Sequence, residues 1–273
     1  MNLRRIVLMG RMTFAEGVRA RFFGVLLLIL LSILLTSNFF QQFDFGTSEL
    51  KFVLDFGFGA VQLFGIILCV VITSQIFFNE IDQRTAISIL SRDIARWEFL
   101  AGKLIGVAAL LLVFCLVTGT LLSLVLSLKE AIILKESGES VSLVEINEVY
   151  LFVILQWLKF SIIIALTLCV ASLSQSSLYT MAVSFLAILA CELQYLANDI
   201  YLDAESSFGR ALGWVLKTVV PNLSIYNLGN QLGLNDNTAF GSAGFLFDIC
   251  LHFIFYTSTF FALAVFFFRN REI

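Results

Sequence analysis

Six apolar runs, each about as long as a membrane is thick, decide what this chain can fold into. They cover Phe22–Phe40, Phe56–Phe78, Leu104–Leu128, Val149–Ala171, Leu178–Ala197 and Ala243–Phe268. A hydrocarbon core of about 30 Å takes about 20 helical residues to cross. The runs are apolar on every face, as suits a helix that satisfies its backbone groups within its own segment while lipid surrounds it. The lone proline, Pro221, lies outside all six. Composition agrees: of 273 residues, 59% are hydrophobic and 14% charged, where an ordinary soluble domain carries about 25% charged residues. The sequence predicts an all-α integral membrane protein with six transmembrane helices in one domain over 1–273.

A secretory signal is the rival reading of the first run, with Arg4, Arg5 and Arg11 as its basic flank. Roughly twenty residues precede that run and no A-x-A site follows Thr36, which favours a retained span. Cys69, Cys115, Cys169, Cys191 and Cys250 are odd in number and fall inside spans. Single buried thiols behave as small hydrophobes, so neither a disulfide framework nor a metal site is expected.

Six spans place both termini on one side. That side holds Arg4, Arg5, Arg11, Arg19, Arg21, Arg84, Arg92, Arg96, Lys103, Arg269 and Arg271. The other holds Lys51, Lys129, Lys135, Arg210 and Lys217, with Lys159 inside a span. An excess of Lys and Arg marks the cytoplasmic face, so both termini are expected there. The net charge of −3 adds little, because much of the acid falls in the outer loops.

Residues 1–21 read as an amphipathic helix on the inner membrane surface, with Leu3, Ile6, Val7, Phe14 and Val18 at helical spacing and arginines within reach of anionic headgroups. An ordinary basic flank is the plainer reading, and both stay open. Two outer loops, Gln41–Asp55 and Lys129–Glu148, are short. The third, over 198–242, is long, and its ESSFGRALGWVLKTVVP stretch predicts a helix at the outer leaflet. Phe208, Leu212, Val215, Leu216 and Val219 form its stripe, Ser206 or Ser207 its cap, and Pro221 its end.

Between the second and third runs stands a charged connection, FNEIDQRTAISILSRDIARWEFLAGK, Phe78–Lys103. A tight turn would suffice to join two spans. Here Asp82–Leu90 predicts a short helix, Ser91 caps the next one, and Asp93 suits its positive end. From Ile94 that helix runs through Trp97 and Ala101 into the third span. The apolar side of such a helix-turn-helix fits a groove on a soluble partner, with flanking charges setting orientation. It equally fits the headgroup layer with Trp97 as an anchor, and residue chemistry leaves the two even.

SRDIARWEFLAGKLIG resembles the signature of type-2 ABC exporter permeases, which commonly read Ser-Arg-Pro-(Val/Ile)-Ser-Arg-Trp-Glu-(Tyr/Phe)-Leu-Leu-Gly-Lys after the second span. Ser91, Arg92, Arg96, Trp97, Glu98, Phe99, Leu100, Gly102 and Lys103 fit it. Glu80, Asp82 and Thr85 resemble the acidic-x-acidic-x-Gly-Thr run upstream, and Pro221, Asn222, Leu223 and Asn227 a Pro-Asn-Leu stretch before the last span. Asp93 stands where proline is usual and Arg84 where glycine is usual. The nearest subgroup is the permeases of copper-enzyme maturation and sodium extrusion.

The resemblance implies a permease in the cytoplasmic (inner) membrane of a bacterial-type cell. It implies a dimer with a second copy or a homologue, and a separate ATP-binding cassette subunit docked on a coupling region over 79–103. ATP and its Mg ion then belong to the partner, with no cofactor in this chain. Glu80, Asp82, Arg84, Thr85, Arg92, Arg96, Trp97 and Glu98 become the coupling residues. The sequence agrees in lacking a G-x-x-x-x-G-K-[ST] phosphate loop: Ala101-Gly102-Lys103 has no upstream glycine and is followed by leucine.

Three ionisable groups fall inside spans, where each costs roughly 2.5–3.5 kcal/mol at a helix centre. Lys159 lies roughly 15 Å deep in the fourth span at about 1.5 Å per residue. Glu192 and Asp248 are expected at similar depth in the fifth and sixth, within reach of a snorkelling lysine. Either the three form part of a polar translocation path, or Lys159 and Glu192 pair to lock the fourth and fifth helices together; the lock is preferred. The 29 phenylalanines read as lipid-facing bulk, and Gly102 and Gly106 as a site of close helix approach near the cytoplasmic edge.

Two other functional classes share this composition. An ion-coupled secondary carrier usually shows inverted repeats with broken helices, which are not evident. A membrane-embedded enzyme needs a base or metal ligands, and His252 is the sole histidine, without an HExxH pattern.

Overall fold

The computed structural model describes residues 2–36, 49–82, 95–137, 146–195, 220–227 and 243–269. The α-helices among them are α1 (Asn2–Arg19), α2 (Arg21–Thr36), α3 (Glu49–Asp82), α4 (Arg96–Ser137), α5 (Ile146–Leu173), α6 (Ser177–Glu192) and α7 (Ala243–Arg269). Two 3₁₀ turns, Leu193–Tyr195 and Leu223–Tyr226, complete the regular structure. Four helices, α3, α4, α5 and α7, are long and apolar enough to cross a membrane. The pair α1–α2, bent by 60°, makes a fifth if taken as one span. The 16 residues of α6 rise about 24 Å, short of a full crossing.

The long helices contain the apolar runs but overrun them. Residues 49–55, 129–137 and 146–148, assigned to outer loops from hydropathy, are helical. The reason is physical: hydropathy reports where a helix leaves lipid, not where it ends. Lys and Glu are good helix formers, so they stop the apolar run without stopping the hydrogen-bond ladder. The charged connection over 79–103, the elbow, is described only at its two ends. Its expected helix over Asp82–Leu90 and its cap at Ser91 lie outside the described residues, as does the expected helix between Ser206 and Pro221. What is described places the cap of α4 at Ala95, whose N–H donates to the Glu98 carboxylate at 3.3 Å, the acid half of a capping box.

At the centre is α5, with 72% of its apolar window buried against 11% for α7. Phe160, Ile162, Ile163 and Ile164 of α5 are all buried, whereas α7 turns Phe247, Leu251, Ile254 and Phe266 outward. The inner helices close up where one residue is glycine. A Cβ on Gly65 of α3 would lie 2.1 Å from the Phe160 ring, so the absent side chain is what lets that ring seat.

The same device fastens α1 to α4. Gly102 and Gly106 face α1: a Cβ on Gly106 would lie 2.6 Å from the Gly10 carbonyl oxygen, and one on Gly102 would lie 2.5 Å from the Met9 Cβ. The close approach expected of this G-x-x-x-G pair is present, and its partner is the N-terminal helix. The face that α1 turns inward runs through Gly10, Thr13 and Gly17, all buried. It is not the stripe expected from large apolar residues, since Val7 and Val18 are 57% and 46% exposed. Small residues let two backbones touch where large ones would hold them apart.

Candidate functional site

Two charged constellations stand out among the described residues of this apolar bundle. The first lies where α3 ends and α4 begins. Lys103, two turns into α4, reaches back to α3 and pairs with Glu80 at 2.5 Å, while its ammonium also donates to the Ile76 carbonyl at 3.3 Å. The Lys103 side chain is 3% exposed and that of Glu80 20%, so the lysine end of the pair is dry and the two helix ends are clamped. Arg96 braces the same base from the other side. Its guanidinium donates to the carbonyl oxygens of Phe268 at 2.8 Å and Arg269 at 2.6 Å, and lies over the Phe268 ring. Those carbonyls are the open C-terminal end of α7, where a cation is favoured.

Of the eight residues expected to engage a partner, Glu80, Arg96 and Glu98 are thus engaged within the chain. Asp82 is exposed and Trp97 is 40% exposed, so these two present surface. Arg84, Thr85 and Arg92 lie outside the described residues.

The second constellation is deep. Lys159 of α5 is fully buried and forms an ion pair with Glu192 at the end of α6. Asn227 joins both: its side-chain oxygen accepts from the Lys159 ammonium at 2.8 Å, and its amide donates to the second Glu192 oxygen at 3.1 Å. One turn before Lys159 and on the same face, Gln156 donates to the Tyr226 carbonyl at 3.3 Å. The Tyr226 hydroxyl shares a 3.0 Å hydrogen bond with His252 Nδ1 of α7. Asp248 stands apart, exposed on α7. The buried side of α7 passes through Ile249, and one residue along a helix is a rotation of about 100°, which turns Asp248 away from Lys159.

The residues that complete this network are Asn227, which the sequence marks only through the Pro-Asn-Leu resemblance, and Tyr226 and Gln156, which it does not mark as a site. Asn227 follows the lone proline, in a segment expected to be an outer loop. Yet Pro221, Leu223 and Tyr226 are buried, so Pro221–Asn227 is seated in the bundle. The signal was a Tyr-Asn pair among apolar residues in an otherwise polar connection. His252, the sole histidine of the chain, is half-buried and packs with this hydrogen bond made.

A model of the family described as ABC-2 family transporter protein matches residues 17–190, more than half of the chain and the stretch that carries both the α3–α4 clamp and Lys159. The chain belongs to that family. Among curated proteins, none matches the chain. An ABC-2 permease is the membrane subunit of a transport complex, lacks an ATPase domain, carries no cofactor of its own, and works with an ATP-binding cassette partner that binds the nucleotide. The chain is therefore a multi-pass transport subunit, and the readings as a membrane-embedded enzyme or an ion-coupled carrier give way.

Proposed function

We propose that this permease forms one half of the translocation path of an ATP-driven exporter in a bacterial-type inner membrane, paired with a second copy or a homologue. In this arrangement α1–α2 together supply the first span, and the residues after Glu192 complete the fifth, giving six spans with both termini cytoplasmic. The asymmetry of Lys and Arg supports that orientation. The finer likeness to permeases of copper-enzyme maturation and sodium extrusion rests on the elbow motif alone.

The elbow over 79–103 docks the ATPase. The observation that carries this reading is the clamp at its base. A partner pushing on a free loop would move only the loop, because a flexible connection transmits no force. Here Glu80–Lys103 ties the end of α3 to the start of α4, and Arg96 ties α4 to the end of α7. Load on residues 83–94 is delivered to three helices together. Asp82, Arg84, Thr85, Arg92 and Trp97 make the contact, and Glu80, Arg96 and Glu98 hold the base rigid. Lys159, Glu192 and Asn227 act as a lock joining α5, α6 and the Pro221–Asn227 segment, and Asp248 has no part in it.

Co-purification from native membranes tests the docking. Arg92→Glu releases the ATPase while leaving the permease folded, whereas Arg96→Glu also destabilises the permease because it uncaps α7. Retention of the ATPase by the Arg92→Glu chain, with unchanged ATP turnover, would refute the docking role.

A further inference from the structure

A cavity of about 510 Å³ opens between α1 and α3, within the range of about 300–1,000 Å³ that holds small ligands. Its walls are one face of each helix. Met12, Glu16 and Arg19 line it from α1, and Ile72, Gln75 and Asn79 from α3; these intervals of three and four residues keep each set on one side of its helix. Glu16 is the sole carboxylate on a helix that carries four arginines. The charges it feels are those of Lys103 and Glu80, and Lys103 is already paired with Glu80. Among the described residues, neither Arg19 nor the amides of Gln75 and Asn79 have a side-chain hydrogen bond or ion pair.

The cavity thus offers a carboxylate and a guanidinium one turn apart, two primary amides facing them, and an apolar wall. That arrangement is the complement of a zwitterion whose ammonium and phosphate are joined by a short linker and followed by hydrocarbon. We propose that it binds the phosphoethanolamine headgroup of an aminophospholipid from the surrounding bilayer. The phosphate is held by Arg19, Gln75 and Asn79, the primary ammonium by Glu16, and an acyl chain lies along Met12 and Ile72. Other headgroups fit less well. Phosphatidylglycerol brings no ammonium and faces the Glu16 carboxylate with its negative charge uncompensated. Phosphatidylcholine has an ammonium with no N–H to donate. Occupancy would wedge α1 against α3 one turn from Glu80, at the base of the elbow. The assignment rests on the proposed membrane arrangement, which puts this end of the bundle at a bilayer surface.

The full chain, purified in detergent, is offered phosphatidylethanolamine, phosphatidylglycerol and phosphatidylcholine at equal concentration, and retained lipid is counted by native mass spectrometry. One phosphatidylethanolamine is expected to be held in preference to the other two. Glu16→Gln and Arg19→Gln should each weaken its retention by about tenfold or more, the effect of losing one charge-assisted hydrogen bond. Should those chains not fold, Gln75→Leu with Asn79→Leu tests the facing wall with the same expectation. Equal retention of the three lipids, undiminished retention by the variants, or displacement by an equal concentration of soluble phosphoethanolamine would each overturn the proposal. Labelling of Met12→Cys in sealed vesicles checks the arrangement separately. Reaction from the outer side would overturn the orientation while leaving the headgroup selectivity measurable.

Discussion

Replacing Lys159 with methionine tests the proposed lock, because the new side chain keeps the length and apolar stem of lysine and removes only the ammonium. Lys159 is fully buried, paired with Glu192 and bonded to Asn227 at 2.8 Å. The substitution strands the Glu192 carboxylate with only the Asn227 amide, 3.1 Å away. Breaking one side of a buried pair costs about 3–5 kcal/mol, whereas a single interhelical hydrogen bond in a membrane bundle is worth about 0.6 kcal/mol and at most about 1.7. The charge effect therefore dominates. Lys159→Met should lower the Tm of the purified chain by on the order of 10 °C, at about 2–4 °C per kcal/mol. Asn227→Leu should lower it by only a few degrees. The double change Lys159→Met with Glu192→Leu removes both charges and should return stability to about the unmodified value. Thermal unfolding in detergent measures all three. A Lys159→Met chain as stable as the parent, or a double variant no better than the single, would refute the lock. If the double variant is stable and assembles yet the complex no longer transports, the pair belongs to the path instead.

The clamp at the elbow has its own signature: Lys103→Met should leave the ATPase bound but reduce ATP turnover coupled to transport, because docking persists while rigidity is lost. A Lys103→Met complex with full coupling would count against force passing through that pair. Enlarging Gly106 to valine should push α1 off α4 at a cost of about 1–3 kcal/mol, since it meets the Gly10 carbonyl oxygen and the Thr13 Cβ, neither of which can rotate away. Protease access to the N-terminal segment reads that out, and unchanged protection would contradict the packing. Gly65→Ala should destabilise by a similar amount through the Phe160 ring. Combining it with Phe160→Leu should recover part of the loss, and absence of recovery would show that the ring is not what the glycine accommodates.

The elbow motif was legible residue by residue, but its division of labour was not. Glu80 and Arg96 look in sequence like charges offered to a partner. Their geometry turns them inward, because each lies within reach of a counter-charge or a helix end that sequence separation hides: Phe268 is far from Arg96 in the chain yet adjacent in the bundle. The deep network shows the same limit. Lys159 and Glu192 stood out because charge in an apolar run is costly, while Asn227 did not, since an asparagine in a loop costs nothing until the loop is found buried.

What the sequence determined by itself is the solvent and the element type. An apolar excess sustained over membrane length leaves a backbone no option but to bond within its own helix, and that constraint is local. Which helices touch was decided by tertiary structure, through features with no local signature: the missing side chains of Gly10 and Gly65, the choice of α1 as the partner of Gly102 and Gly106, and the seating of Asn227 between Lys159 and Glu192. Close approach and charge pairing depend on distances between residues remote in the chain. Those distances exist only once the bundle is assembled.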